Sequence, residues 1–311
     1  MKNIAKNIHL LCLLTVPIVL LATISLRTIA LLTSYEADIG RYSSPTLSFA
    51  VGGILVAVTI ALAILTHEMR ELFVAVPDYR DLPSLFSGVF ATVTLMFFAV
   101  TFPIDLSGDA PFVFVMALLA AILAAAGSLL FVYRGFRTDA AGGAPAMLAL
   151  PLALFSIPAI VALSFTSTLR IADPAVNLTI VAFAAVAFFF LGEARIALGR
   201  AKWALHTCIT VLTVIFTATQ AIPNLIYHAV RGSAILGNTP IDFVMLGFFL
   251  YSLARLVLVF SAAQREGKDA MRFAMGSYMP AATADEAPVA QAEAVVDENQ
   301  REDANEEDTD R

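Results

Sequence analysis

Eight apolar stretches of roughly 20 residues each run from Ile8 to Ala262, and almost every charged residue falls between them or after them. Crossing a hydrocarbon core of ~30 Å takes about 20 helical residues at ~1.5 Å each, so a chain patterned this way has lipid for its solvent. Charged residues make up 14% of the chain and hydrophobic residues 59%, with a mean hydropathy of +0.83. An ordinary soluble domain carries ~25% charged residues, and no soluble core of this size could hide so much apolar surface. The expected fold is an all-α integral membrane protein with eight transmembrane helices over residues 8–33, 46–67, 83–104, 111–134, 146–169, 175–197, 203–228 and 240–262. Pro45, Pro83, Pro111, Pro145, Pro174 and Pro240 stand at or just before the starts of these spans. A missing backbone N–H costs little there, and the ring's fixed φ suits a first helical turn.

Basic residues in short loops favour the cytoplasmic side. One alternating set of segments carries Lys2 and Lys6, Arg70 and Arg80, Arg134 and Arg137, then Arg195, Arg200 and Lys202, and finally Arg265, Lys268 and Arg272. The opposite set has only Arg41, Arg170 and Arg231. Both termini are therefore expected in the cytoplasm, with the plasma membrane as the location. Short loops and two unpaired cysteines, Cys12 and Cys208, both in apolar runs, fit a bacterial cell. The first span follows Lys2 and Lys6 as a signal peptide would, but it exceeds an h-region of 7 to 15 residues and Arg27 interrupts its far end.

The chain echoes itself. Thr15-Val16-Pro17 and Leu26-Arg27 in span 1 answer Ser156-Ile157-Pro158 and Leu169-Arg170 in span 5, and Glu68-Met69-Arg70 answers Glu193-Ala194-Arg195. Phe102-Pro103 matches Ile222-Pro223, and Pro111 to Met116 matches Pro240 to Met245. Four correspondences in the same order suggest a tandem 4+4 repeat. Its halves are residues 1–138 and 144–272, followed by an acidic tail over 281–311. An even number of spans per half leaves both halves facing one way, giving a parallel repeat with a pseudo-twofold axis along the membrane normal.

Ionisable groups at membrane depth are costly and mark candidate sites. Arg255 lies about fifteen residues into span 8, ~22 Å from its start, with Tyr251 one turn earlier on the same face. By depth its partner is Glu193 or Glu68; it either binds an anionic substrate or locks two helices together. The pairs Glu68 with Arg70 and Glu193 with Arg195 end two equivalent helices. Residues two apart point to opposite sides, so each Glu needs a partner elsewhere. They form a gate or coupling site, or else they mark the boundary, with Arg snorkelling to headgroups and Glu facing water. In span 7, His206, Thr210, Thr213, Thr217, Gln220 and Asn224 recur at spacings of 4, 3, 4, 3 and 4, on one helical stripe that must face protein or water. Interhelical glue and a polar ligand path are the two readings. At the outer face Arg27, Arg170, His228 and Arg231 either form an anion-attracting vestibule or pair with carboxylates of the same loops, Asp242 among them.

Other signals are weak. His67-Glu68 lacks the second His of a zinc protease helix, and there is no phosphate-binding Gly loop and no Gly-x-Ser-x-Gly. No catalytic group, metal, cofactor or nucleic acid is expected. Residues 285–311 carry eleven acids and two Arg, whereas residues 1–284 carry fourteen acids and seventeen bases. The tail should therefore be disordered. These features favour a small-solute transporter or permease. The alternative is a membrane signalling or scaffold protein that recruits a basic cytosolic partner through the acidic tail. An intramembrane enzyme ranks last, for want of a catalytic cluster.

Overall fold

The computed structural model describes residues 2–36, 41–68, 82–136, 143–166, 174–200, 202–232 and 239–265. Nine helices and one small hairpin occur among them: α1 (Lys2–Ser34), β1 (Tyr35–Glu36), β2 (Arg41–Tyr42), α2 (Thr46–Glu68), α3 (Leu82–Asp105), α4 (Pro111–Phe136), α5 (Gly143–Leu154), α6 (Ser156–Phe165), α7 (Pro174–Ala197), α8 (Trp203–Arg231) and α9 (Thr239–Arg265). Counting α5 and α6 as one crossing, eight spans are long and apolar enough to cross a membrane. Apart from the first, where α1 begins at Lys2 against an expected start at residue 8, their bounds fall within four residues of the hydropathy pattern, because span-opening prolines fix most of the starts. The hairpin is not foreshadowed by the sequence. Tyr35 faces Tyr42 across it and packs edge-on against Tyr227 of α8, capping the end of α1 with three aromatic rings.

The fifth span departs from a straight rod. Pro158 has no N–H to give the carbonyl of Leu154, and the helix slackens at Phe155. Hydrogen bonds from Phe155 N to the Pro151 carbonyl and from Ala159 N to the Phe155 carbonyl carry the backbone across the break. The span ends at Phe165, earlier than residue 169, and Arg170 lies outside the described residues.

Six crossings close into a ring in the order α3, α4, α5 with α6, α7, α8, α9 and back to α3; α1 packs against α8 from outside, and α2 rests on α1 and α8. The slack at Phe155 matters for what fills the ring. Its buried side chain packs against Phe98 of α3, Phe183 of α7 and Phe248 of α9, with centroids 6.1, 5.6 and 5.7 Å away. The centre of the ring is thus a plug of phenylalanines from four crossings. α1 packs on α2 and α5 with α6 packs on α7, while α3 packs on α4 and α8 on α9. The extensive α3–α9 packing has no equally extensive counterpart between α8 and α4.

Lipid tails are as apolar as leucine, so close packing has to supply the attraction between these helices. At Gly127 of α4 an added Cβ would enter the Leu152 side chain and stand 3.1 Å from the Leu152 backbone nitrogen of α5. Gly127→Val is expected to destabilise the protein by about 1–3 kcal/mol, read as a lowered unfolding midpoint in micelles. An unchanged midpoint would show that α4 and α5 can part without cost.

Candidate functional site

Two guanidiniums converge on one carboxylate inside the bundle. Glu193 is fully buried on α7. Arg255 of α9 approaches it side-on, with Nε donating to Oε1 at 3.2 Å and Nη2 to Oε2 at 3.5 Å. Arg134, in the last turn of α4, brings Nη2 within 2.8 Å of Oε2 and donates its Nη1 to the Tyr251 hydroxyl. His206 of α8 completes the set, its Nε2 donating to Oε1 at 3.1 Å. The carboxylate therefore joins α4, α7, α8 and α9. Tyr251 packs against Phe131 and Phe190, and the His206 ring lies over Phe189, so an aromatic sleeve keeps the local dielectric low and strengthens each charge-assisted bond. Gly192 makes the His206 contact possible, because a Cβ there would collide with the imidazole.

From His206 the polar stripe runs up α8 with every member buried. Thr210 and Thr217 donate back to carbonyls one turn earlier, His206 and Thr213; Thr213 divides its hydroxyl between Ile209 of its own helix and the Ala185 carbonyl of α7. Threonines that bond to their own helix present methyl groups to neighbours, which is how the middle of the stripe packs tightly.

At the far end a second network takes over. Arg27 of α1 donates Nη2 to the amide oxygens of Gln220 and Asn224, both at 3.0 Å. Gln220 donates onward to Thr179 of α7 at 2.6 Å, and Asn224 to the buried Asp242 of α9 at 2.9 Å. Thr23 and Thr219 meet hydroxyl to hydroxyl at 2.9 Å beside them. His206 and Asn224 are 18 residues apart, ~27 Å along the helix, nearly the depth of a hydrocarbon core. Each network touches a cavity. One of about 390 Å³ is lined by Arg134 and Tyr251 with Ser84 and Gly88 of α3; the other, about 1150 Å³, is lined by Arg27 with parts of α2 and α7.

Several sequence expectations change in this light. Glu193 is the partner that Arg255 requires, and it faces arginines where the boundary reading has it facing water. Arg195 is exposed on the opposite side of α7. The side chain of Glu68, and Arg70 with it, lie outside the described residues. Arg27 is buried against α8, where the amide oxygens of Gln220 and Asn224 accept from it. Arg231 is exposed and donates to the Leu32 carbonyl at 2.9 Å, while His228 is half-buried. Three participants were not singled out from the sequence: Arg134, Thr179 and, as a buried group, Asp242. Arg134 and Asp242 stand in the terminal turns of their helices, so by position they read as loop charges. No group of three or more His, Cys, Asp or Glu that could hold a metal occurs among the described residues.

An all-helical, multi-pass membrane protein is the class that this fold and composition define. Comparison with known families finds no matching family model, and comparisons with curated proteins and with solved structures find no match.

Proposed function

We propose that this protein is a small-solute transporter or permease of the plasma membrane, with both termini cytoplasmic and with anions as its solutes. One observation carries the reading: a buried polar seam along α8 extends ~27 Å, and at each end an arginine of its hydrogen-bonded network lines a cavity. Buried ionisable groups are expensive in a bilayer and are retained where ions or solutes pass. The guanidiniums supply attraction for an anion, and the Phe155 plug closes the ring beside the seam. Like neighbour patterns inside residues 1–138 and 144–272 support a tandem 4+4 origin for this scaffold, with departures between the halves that leave α1 and α2 outside the ring.

Counterflow into proteoliposomes with radiolabelled acetate, lactate, succinate and phosphate tests the proposal. Protein-dependent uptake of at least one is expected. Arg255→Lys keeps the charge but loses the two-pronged contact with Glu193, and is expected to cut uptake by at least about tenfold in protein that still folds; Arg255→Ala should abolish it. Deleting 281–311 should leave uptake intact. Uptake by Arg255→Ala equal to that of the parent, or no flux of any of the four anions, would overturn the reading. Loss of the protein's cellular role on tail deletion alone would favour recruitment of a basic partner.

A further inference from the structure

The larger cavity has a shape and a polarity that the seam does not explain. It lies between α2 and α7, which touch little, and its outward walls include Phe49, Val56 and Ile60 of α2 and Val181 of α7, all with exposed side chains. In a bilayer such a gap opens sideways to lipid. Along α2 it extends from Pro45 to Ile60, fifteen residues or ~22 Å, more than one leaflet's share of a ~30 Å core. At about 1150 Å³ it exceeds the ~300–1,000 Å³ of ordinary small-molecule sites.

Polarity is graded along that length. Tyr42, Ser43 and Ser48 line the mouth beside the hairpin, Asn177 comes from the first turn of α7, and Arg27 contributes the charge. Farther in, Leu55, Val56, Ile60, Val181 and Phe216 are apolar. Thr59 is no exception, because its hydroxyl donates back to the Leu55 carbonyl at 2.8 Å. A polar, cationic mouth over an apolar shaft one leaflet deep is complementary to one kind of molecule.

We propose that the α2–α7 cavity is a binding site for an anionic phospholipid of the adjoining leaflet, its phosphate held at the mouth near Arg27, Ser48 and Asn177 and an acyl chain running along α2 to Ile60. Each buried methylene contributes ~0.8 kcal/mol only when it leaves water, so exchange from the bilayer draws little on the chain and selectivity has to come from the headgroup. The site does not depend on whether solute moves along the seam.

Gly52 supplies the test. It lines the cavity, and a Cβ built on it meets nothing within 4 Å, so Gly52→Phe fills the shaft without disturbing α2; Gly53, equally unobstructed, does not line it. Phe216→Trp places a fluorophore in the wall, and the native Trp203, thirteen residues away on α8, gives the baseline in the parent. Full-length Phe216→Trp in dodecylmaltoside micelles is titrated with phosphatidylglycerol brominated on one chain. Saturable quenching is expected, about tenfold weaker with brominated phosphatidylcholine, displaced by unbrominated phosphatidylglycerol, lost on adding Gly52→Phe and kept on adding Gly53→Phe. Arg27→Lys should shrink the preference for phosphatidylglycerol. Quenching that never saturates, that is equal for the two headgroups, or that survives Gly52→Phe would overturn the site. So would tighter competition by free palmitate than by phosphatidylglycerol, which would assign the cavity to a fatty acid.

Discussion

Glu193→Leu is expected to destabilise this protein by about 3–5 kcal/mol, because it strands two buried cations at once. The side chains are of similar size, so the loss is electrostatic rather than a matter of volume. In the parent, one carboxylate receives Arg255 through two nitrogens, Arg134 through a third and His206 through a fourth. Leucine leaves both guanidiniums within the Phe131, Phe189 and Phe190 sleeve with their shared anion gone. Transfer of a charge out of water costs several kcal/mol per ion unless a counter-charge offsets it. The measurement is an equilibrium unfolding titration in mixed micelles. Glu193→Asp keeps the charge and should lose far less. Adding Arg255→Met to Glu193→Leu removes one stranded cation and should recover part of the loss, with a coupling of ~0.5–3 kcal/mol between the two positions. Wild-type stability for Glu193→Leu would mean that water or lipid headgroups reach the arginines, and the cluster would then be a wet site.

What could be seen in advance follows from which signals a bilayer leaves in a sequence. Span positions are legible because the solvent selects for unbroken apolar length and because proline collects at the starts. The α8 stripe is legible because its spacing contrasts with lipid-facing helices, and the Glu193 partner of Arg255 because depth alone narrows the choice. Neighbour relations are another matter. A residue facing lipid and one facing another helix are both apolar, so Val93 on the outside of α3 and Leu95 in its core cannot be told apart by hydropathy. The ring, with α1 and α2 left outside it, therefore could not be read from the chain. Charges near span ends fail for a related reason: Arg134 and Asp242 in terminal turns, and Arg27 about two turns from the end of α1, pass for interfacial residues. Only the packing of α4 against α3, α5 and α6, and of α9 and α1 against α8, shows that they are inside. Pro158 accounts for the break at Phe155, but that its ring becomes the centre of the plug depends on three other helices.

Asn224→Leu should have an effect of the same order, at about 3–5 kcal/mol. The amide is the only side chain that contacts both Arg27 and Asp242 among the described hydrogen bonds: its oxygen accepts from the guanidinium at 3.0 Å and its nitrogen donates to the carboxylate at 2.9 Å. A neutral relay of this kind orients a cation and an anion in low dielectric without bringing them into direct contact. Leucine conserves volume and abolishes both bonds at once, each to a charged partner and each worth ~1.5–3 kcal/mol when broken. Arg27 would keep Gln220, while Asp242 would lose its amide donor, so Asp242 should account for most of the damage. Adding Asp242→Leu to Asn224→Leu is therefore expected to recover more stability than adding Arg27→Leu. Asn224→Asp should be worse tolerated than Asn224→Ser, because it sets a second carboxylate against Asp242. The same unfolding titration reads all five proteins. Equal recovery from either second substitution would show that the two ions share the amide evenly, and an unchanged midpoint for Asn224→Leu itself would remove the outer network from the forces that hold α1 and α9 to α8.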